Sequence, residues 1–128
     1  GEHVVQVCRT TPCWLRGSDA LTHAAEEHLG IGLGQTTEDK KFTLIEVECL
    51  GACVNAPMVQ INDNYYEDLG AEAFKGILDN LAADKAIEYG NMTGRIGSAP
   101  VGGPQALKDF DPAVNAGKPL PDYSVPAE

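Results

Sequence analysis

Cys8 and Cys13 have four residues between them, Cys49 and Cys53 have three, and thirty-five residues separate the two pairs. Two close pairs on different chain segments make a four-ligand set. Soft anionic thiolates suit ferric iron bridged by sulfide, and four of them complete the tetrahedra of a two-iron cluster. The same donors also suit a four-cysteine zinc site, but paired zinc cysteines more often enclose two residues, so the spacing leans towards a 2Fe-2S cluster without settling the matter. A thiol-disulfide oxidoreductase would carry Cys-x-x-Cys, which is absent. Two disulfides are disfavoured because the chain exceeds the size of disulfide-dependent miniproteins and shows no export signal.

Neighbouring residues could tune such a centre. Gly51, inside Cys49-Leu-Gly-Ala-Cys53, would let the backbone approach the sulfurs, Thr10 and Thr11 could donate hydrogen bonds, and Pro12 stiffens the approach to Cys13. Trp14 is read as a shield, an interface anchor or a core residue. Arg9 and Arg16 flank the first pair, either offsetting cluster charge, meeting a partner, or lying solvated. His3, His23 and His28 are assigned packing or surface roles, because four cysteines already fill the site. No Ser-His-Asp or paired-carboxylate constellation for acid-base or nucleophilic catalysis stands out, and no Gly-x-Gly-x-x-Gly follows a strand.

The elements that must carry these residues read as α/β. Residues 3–8 form an apolar strand ending at Cys8, and after a short loop Ser18 is the expected N-cap of a helix running to Gly30. Residues 30–41 read as a loop, 42–48 as a second strand ending at Cys49, and 58–61 with 65–67 as a hairpin around Asn62-Asp63-Asn64. Of Tyr65 and Tyr66, which alternate on one strand, only one can face the core. A second helix is expected from Ala71 to about Asp84. If the strands ending at Cys8 and Cys49 are parallel neighbours, both pairs emerge at one carboxyl edge, where open α/β sheets place ligands.

Composition sets the outer limits. At 128 residues and 43% hydrophobic content the chain can bury one ordinary core, so one domain over 1–89 is expected. Residues 90–128 hold six glycines and six prolines, which reads as an extended tail suited to a partner's surface. A formal charge of -10 argues against nucleic acid and anionic lipid as partners and favours a basic protein surface. No apolar run approaches the roughly 20 residues of a membrane span, so direct membrane insertion is not expected and the chain reads as soluble and intracellular.

Residues 7–19, Val-Cys-Arg-Thr-Thr-Pro-Cys-Trp-Leu-Arg-Gly-Ser-Asp, together with 44–69, closely resemble the family of the 24 kDa iron-sulfur subunit of respiratory complex I, the E subunit of the bacterial NADH:quinone oxidoreductases. The resemblance covers about residues 3–90 and, more loosely, Gly94 to Pro104. It implies a thioredoxin-like ferredoxin domain, a central mixed sheet flanked by helices, and one 2Fe-2S cluster on Cys8, Cys13, Cys49 and Cys53. It also implies a larger flavoprotein partner holding FMN, the NADH site and a 4Fe-4S cluster, with other peripheral-arm subunits nearby. The small subunit would be a redox rather than a catalytic component, passing single electrons to and from the flavin. Its expected place is the peripheral arm, at the cytoplasmic face of a bacterial inner membrane or in the mitochondrial matrix. The equivalent subunit of an NAD-linked hydrogenase or formate dehydrogenase is the nearest alternative, and a zinc-stabilised thioredoxin-like interaction module is the alternative from another class. The fold further suggests a cis Ala56-Pro57 bond. Family members usually carry a helical region ahead of the first strand that belongs to the docking surface, whereas this sequence starts almost at that strand.

Overall fold

The computed structural model describes residues 1–103; the expected tail beyond Gly103 lies outside the described residues. Among the described residues six strands form one mixed sheet, in the order β2 (Gln35–Thr36), β3 (Phe42–Val47), β1 (His3–Cys8), β4 (Val59–Ile61), β5 (Asn64–Glu67) and β6 (Gly90–Asn91). β1 (His3–Cys8) and β3 (Phe42–Val47) are parallel neighbours, with His3 level with Phe42 and Cys8 level with Val47. On its other side β1 pairs antiparallel with β4 (Val59–Ile61), which turns back into β5 (Asn64–Glu67). Only Asn62 and Asp63 separate those two strands, because Asn64 already pairs with Ile61. Asn62 takes the positive φ of 52° that the two-residue turn requires, and its Oδ1 accepts the Val4 N–H at 2.8 Å.

Strand alternation divides the side chains between two apolar clusters. Val5 and Val7 of β1, Leu44 of β3, and Val59 and Tyr66 of the hairpin face the main core. Against them pack Leu21 and Ala25 of α2 (Ser18–Leu29) and Phe74, Ile77 and Leu78 of α3 (Ala71–Ala82). Cys8, one residue out of phase with Val7, joins Cys13, Ala56 and Met58 in a separate small cluster, with Leu50, Ala52 and Tyr65 packed around it. The cysteine end of β1 therefore has its own dry lining, distinct from the main core. Tyr66 is the tyrosine in the main core, and Tyr65 belongs to the cysteine cluster.

Several elements depart from the sequence expectation. The stretch after Cys8 is not a loop but a short helix, α1 (Thr11–Leu15), which tolerates Pro12 because a first-turn N–H has no helical partner to lose. Helix α1 leaves only Arg16 and Gly17 to redirect the chain, and Gly17 does so at φ 102°, a conformation open to glycine. Gly17 thus occupies the cap position, and Ser18, expected there, is buried in the first turn of α2. The glycine-rich stretch 30–41 contains β2 (Gln35–Thr36), antiparallel to β3. A 3-10 turn covers Cys53–Asn55. Beyond residue 89, β6 (Gly90–Asn91) pairs parallel with β5, so this part of the expected tail is joined to the sheet. The Ala56-Pro57 bond is cis, as the resemblance implied.

Candidate metal centre

The parallel pairing of β1 and β3 brings the two cysteine pairs together. Cys8 ends β1, Cys13 lies in the first turn of α1, and Cys49 and Cys53 bracket the loop that leaves β3. All four are free thiols. The Cys49 and Cys53 sulfurs are 3.4 Å apart, and Cys8 and Cys13 are close enough to shift each other's pKa. The pairs also sense one another: the charge of Cys8 acts on both Cys49 and Cys53. Cys8 and Cys13 are each 1% exposed, whereas Cys49 is exposed and Cys53 half-buried.

Hydrogen-bond donors converge on the sulfurs. The Thr10 hydroxyl lies 3.5 Å from Cys8 Sγ and also contributes to lowering Cys49. The Gly51 N–H donates to Cys49 Sγ at 3.3 Å. Gly51 is needed for its φ of 79° rather than for space, since a Cβ there would meet nothing within 4 Å. Backbone donors at Leu50 and Thr10 serve Cys8, and one at Met58 serves Cys13.

Each pair holds one thiol whose pKa is lowered and one whose pKa is raised. Burial pushes Cys8 up, but the bonds from Thr10, Leu50 and Cys13 more than offset it, and its pKa lies below the ordinary thiol value. Burial, with the hydrogen bond and charge of Cys8, pushes Cys13 up to about 12. Cys49 is lowered by the Gly51 N–H and the Cys53 thiol, and Cys53 is raised by its bond to Cys49 and by burial. A metal binds thiolates, so both thiols of a pair must give up their protons to a metal, and the lowered member does so more readily than its neighbour.

The donor set fits a two-iron cluster. Among the described residues no three His, Cys, Asp or Glu side chains converge as a site for a single ion. A two-iron cluster on four cysteines divides its thiolates into two pairs. The observed pairing has that division, and the sulfur-directed N–H groups match a cluster that gains negative charge on reduction.

The remaining expected residues fall into clear roles. Arg9 makes an ion pair with Asp19 at 2.7 Å, and the Trp14 Nε1–H donates to the same carboxylate at 3.0 Å. Trp14 is 54% exposed beside Cys13, so the core-packing reading does not hold. Arg16 Nε donates to the Ala56 carbonyl at 3.4 Å. None of the histidines joins the cysteines: His3 lies against Phe42, His23 is exposed, and His28 bonds Asp79 of α3 at 2.7 Å. Sequence reasoning missed the residues that brace the second pair's loop. The Tyr65 hydroxyl donates to the Leu50 carbonyl at 2.7 Å, and Arg95 Nη2 donates to the Val54 carbonyl at 2.8 Å. Spacing carries no signal for either, since Arg95 and Val54 are forty-one positions apart.

Comparison with known proteins agrees with this geometry. Residues 1–82 match the family described as thioredoxin-like [2Fe-2S] ferredoxin. Over 84 residues, 66% of this chain and 50% of the relative, the sequence is 61% identical to the E subunit of NADH-quinone oxidoreductase from Rickettsia conorii. It is 55% identical over 95 residues, 74% of this chain and 38% of the relative, to mitochondrial NADH dehydrogenase [ubiquinone] flavoprotein 2 of Dictyostelium discoideum. The chain thus spans about half the length, or less, of these curated relatives. Among solved structures, a thioredoxin-like [2Fe-2S] ferredoxin from Aquifex aeolicus aligns with a TM-score of 0.54 and 20% identity, over 73% of this chain and 97% of the other. An NAD+-reducing [NiFe]-hydrogenase aligns at 0.63 and 20% identity, over 67% of this chain and 15% of the other. These two likenesses concern the fold, a mixed sheet with helices. By sequence, fold and the paired thiols at its sheet edge, the chain belongs to the thioredoxin-like [2Fe-2S] ferredoxin family, whose cofactor is one 2Fe-2S cluster.

Proposed function

We propose that the chain is an electron-transfer subunit of an NADH:quinone oxidoreductase, with Cys8, Cys13, Cys49 and Cys53 as the ligands of its 2Fe-2S cluster. The observation that supports this most directly is the pairing of four free thiols at the carboxyl edge of the parallel neighbours β1 and β3. A four-thiolate 2Fe-2S cluster takes up and returns one electron at a time. The residues of the chain set the conditions for it. Cys8 and Cys13 would hold it from within a dry lining, and Cys49 and Cys53 from the more exposed rim. The N–H groups of Gly51, Leu50 and Thr10 face the sulfurs, where they stabilise added negative charge.

Electrons would be exchanged with FMN in the NADH-binding flavoprotein subunit, within the peripheral arm at the cytoplasmic face of a bacterial membrane or in the mitochondrial matrix. The names of the relatives at about 60% identity support that assembly over the hydrogenase reading, which rests on a fold likeness at 20% identity. Catalysis on NADH would belong to the partner. Among the described residues no helix is long and apolar enough to cross a membrane.

Iron, zinc and acid-labile sulfide analysis, combined with EPR after anaerobic reduction, tests the reading. About two irons and two sulfides per chain and a signal on one-electron reduction are expected. Zinc without sulfide or signal overturns it. Cys49→Ser should weaken the cluster or shift its spectrum, and an unchanged spectrum removes Cys49 from the ligand set.

A further inference from the structure

We propose that Arg95 is a positioning residue for the second cysteine pair, stapling the 3-10 turn that begins at Cys53 to the end of β5. This rests on the reading of Cys53 as a cluster ligand.

The guanidinium is nearly enclosed, its side chain 12% exposed and that of its partner Asp68 11%. Nε and Nη2 bond the two Asp68 oxygens at 2.6 and 2.9 Å, a bidentate pair. Nη2 also reaches the Val54 carbonyl at 2.8 Å and Asn55 Oδ1 at 2.7 Å, and Nη1 reaches the Ala99 carbonyl at 3.1 Å. Val54 and Asn55 directly follow Cys53, so two of the acceptors belong to the turn that fixes its sulfur.

Arg95 works within a small set of bonds that hold the turn. Its own backbone bonds are Asn55 N–H to the Ala52 carbonyl at 2.9 Å and Ala56 N–H to the Cys53 carbonyl at 3.3 Å. Asn55 is buried, and its Nδ2 donates to Glu67 at 2.9 Å and to the Gly97 carbonyl at 3.0 Å, so the same staple is closed from the other side. Asp68 itself sits at φ 48°, a left-handed conformation for a residue with a Cβ, which persists where surrounding bonds over-determine it. Its N–H donates to the Asn55 carbonyl at 2.8 Å. A planar fork can serve these spread acceptors together, whereas the compact ammonium of lysine cannot.

Position, rather than charge alone, is thus the role of Arg95, and the test separates the two. In the cluster-loaded chain, Arg95→Met should raise the rate of cluster loss to an iron chelator by roughly 10–100-fold and shift the EPR g-values. Arg95→Lys should not restore either. An unchanged loss rate and spectrum in Arg95→Met overturns the proposal, and so does full rescue by lysine, which would reduce Arg95 to a charge. Amide exchange of the cluster-free chain gives a second reading. Residues 53–56 should exchange roughly tenfold faster in Arg95→Met while β1 and β3 keep their protection, and unaltered exchange in the turn overturns the proposal. If Arg95→Met fails to fold, Asp68→Asn, which keeps the shape but weakens the anchor, must show the same local loosening or the proposal falls. Wild-type chain without iron and sulfide would sink the functional reading instead, and faster exchange in the turn would still support the staple.

Discussion

The two cysteine pairs differ in their access to water, and that difference is open to direct measurement. Cys8 and Cys13 are each 1% exposed, while Cys49 is exposed and Cys53 half-buried. A reagent can attack only a sulfur it reaches, so in the cluster-free folded chain Cys49 and Cys53 should be alkylated by iodoacetamide well before Cys8 and Cys13, as read by peptide mass spectrometry. Equal rates at all four positions would show that the dry lining around Cys8 is not formed without metal. The candidate ligands themselves were legible in the sequence, because their residue type and their close pairing are local facts. Gly51 and Thr10 were legible for the same reason. Tyr65 and Arg95 were not, since they meet the cysteine loop only after the chain has folded back by fifteen and forty-one positions.

Helix α3 shows what secondary elements contribute to placing the site. Its apolar residues Phe74, Ile77 and Leu78 are buried against the sheet that carries β1. Phe74 is fully buried, so Phe74→Ala should destabilise the chain by about 3–5 kcal/mol, measured by urea unfolding at unchanged cofactor content. A change below about 1 kcal/mol would mean that α3 does not share the core with β1. The elements with a sustained hydrophobic period, α2, α3, β1 and β3, were legible within a few residues. The five residues of α1 were not, because one turn containing a proline offers no period to recognise. β2 and β6, two residues each, lack any alternation and form only because β3 and β5 offer unpaired edges. Ser18 was misplaced for a related reason: its cap preference is real, but α1 moved the start of the next helix onto Gly17.

Across the molecule as a whole, the ion pair of Asp68 and Arg95 ties residues 90–103 to the cluster-bearing domain and makes that tie depend on acid. Burial pushes the Asp68 carboxyl up, but Arg95, Asn91 and Thr93 more than offset it and hold it below the ordinary carboxylate range. As pH falls the unfolded chain therefore takes up this proton before the folded one. The stabilisation is fully present above the unfolded carboxylate value of about 3.9 and is lost as pH drops through the lower folded value. The stability gap between wild type and Asp68→Asn, taken from urea unfolding, should be constant from pH 7 to 5 and narrow below about pH 4. A gap that does not narrow would show that the carboxylate's charge is not what holds the segment. The two rims of the sheet have a different consequence. Both end in strands of two residues, Gln35–Thr36 on one side and Gly90–Asn91 on the other. So short a ladder gives a foreign strand almost nothing to template on, which guards against runaway β-polymerisation before the cofactor is in place.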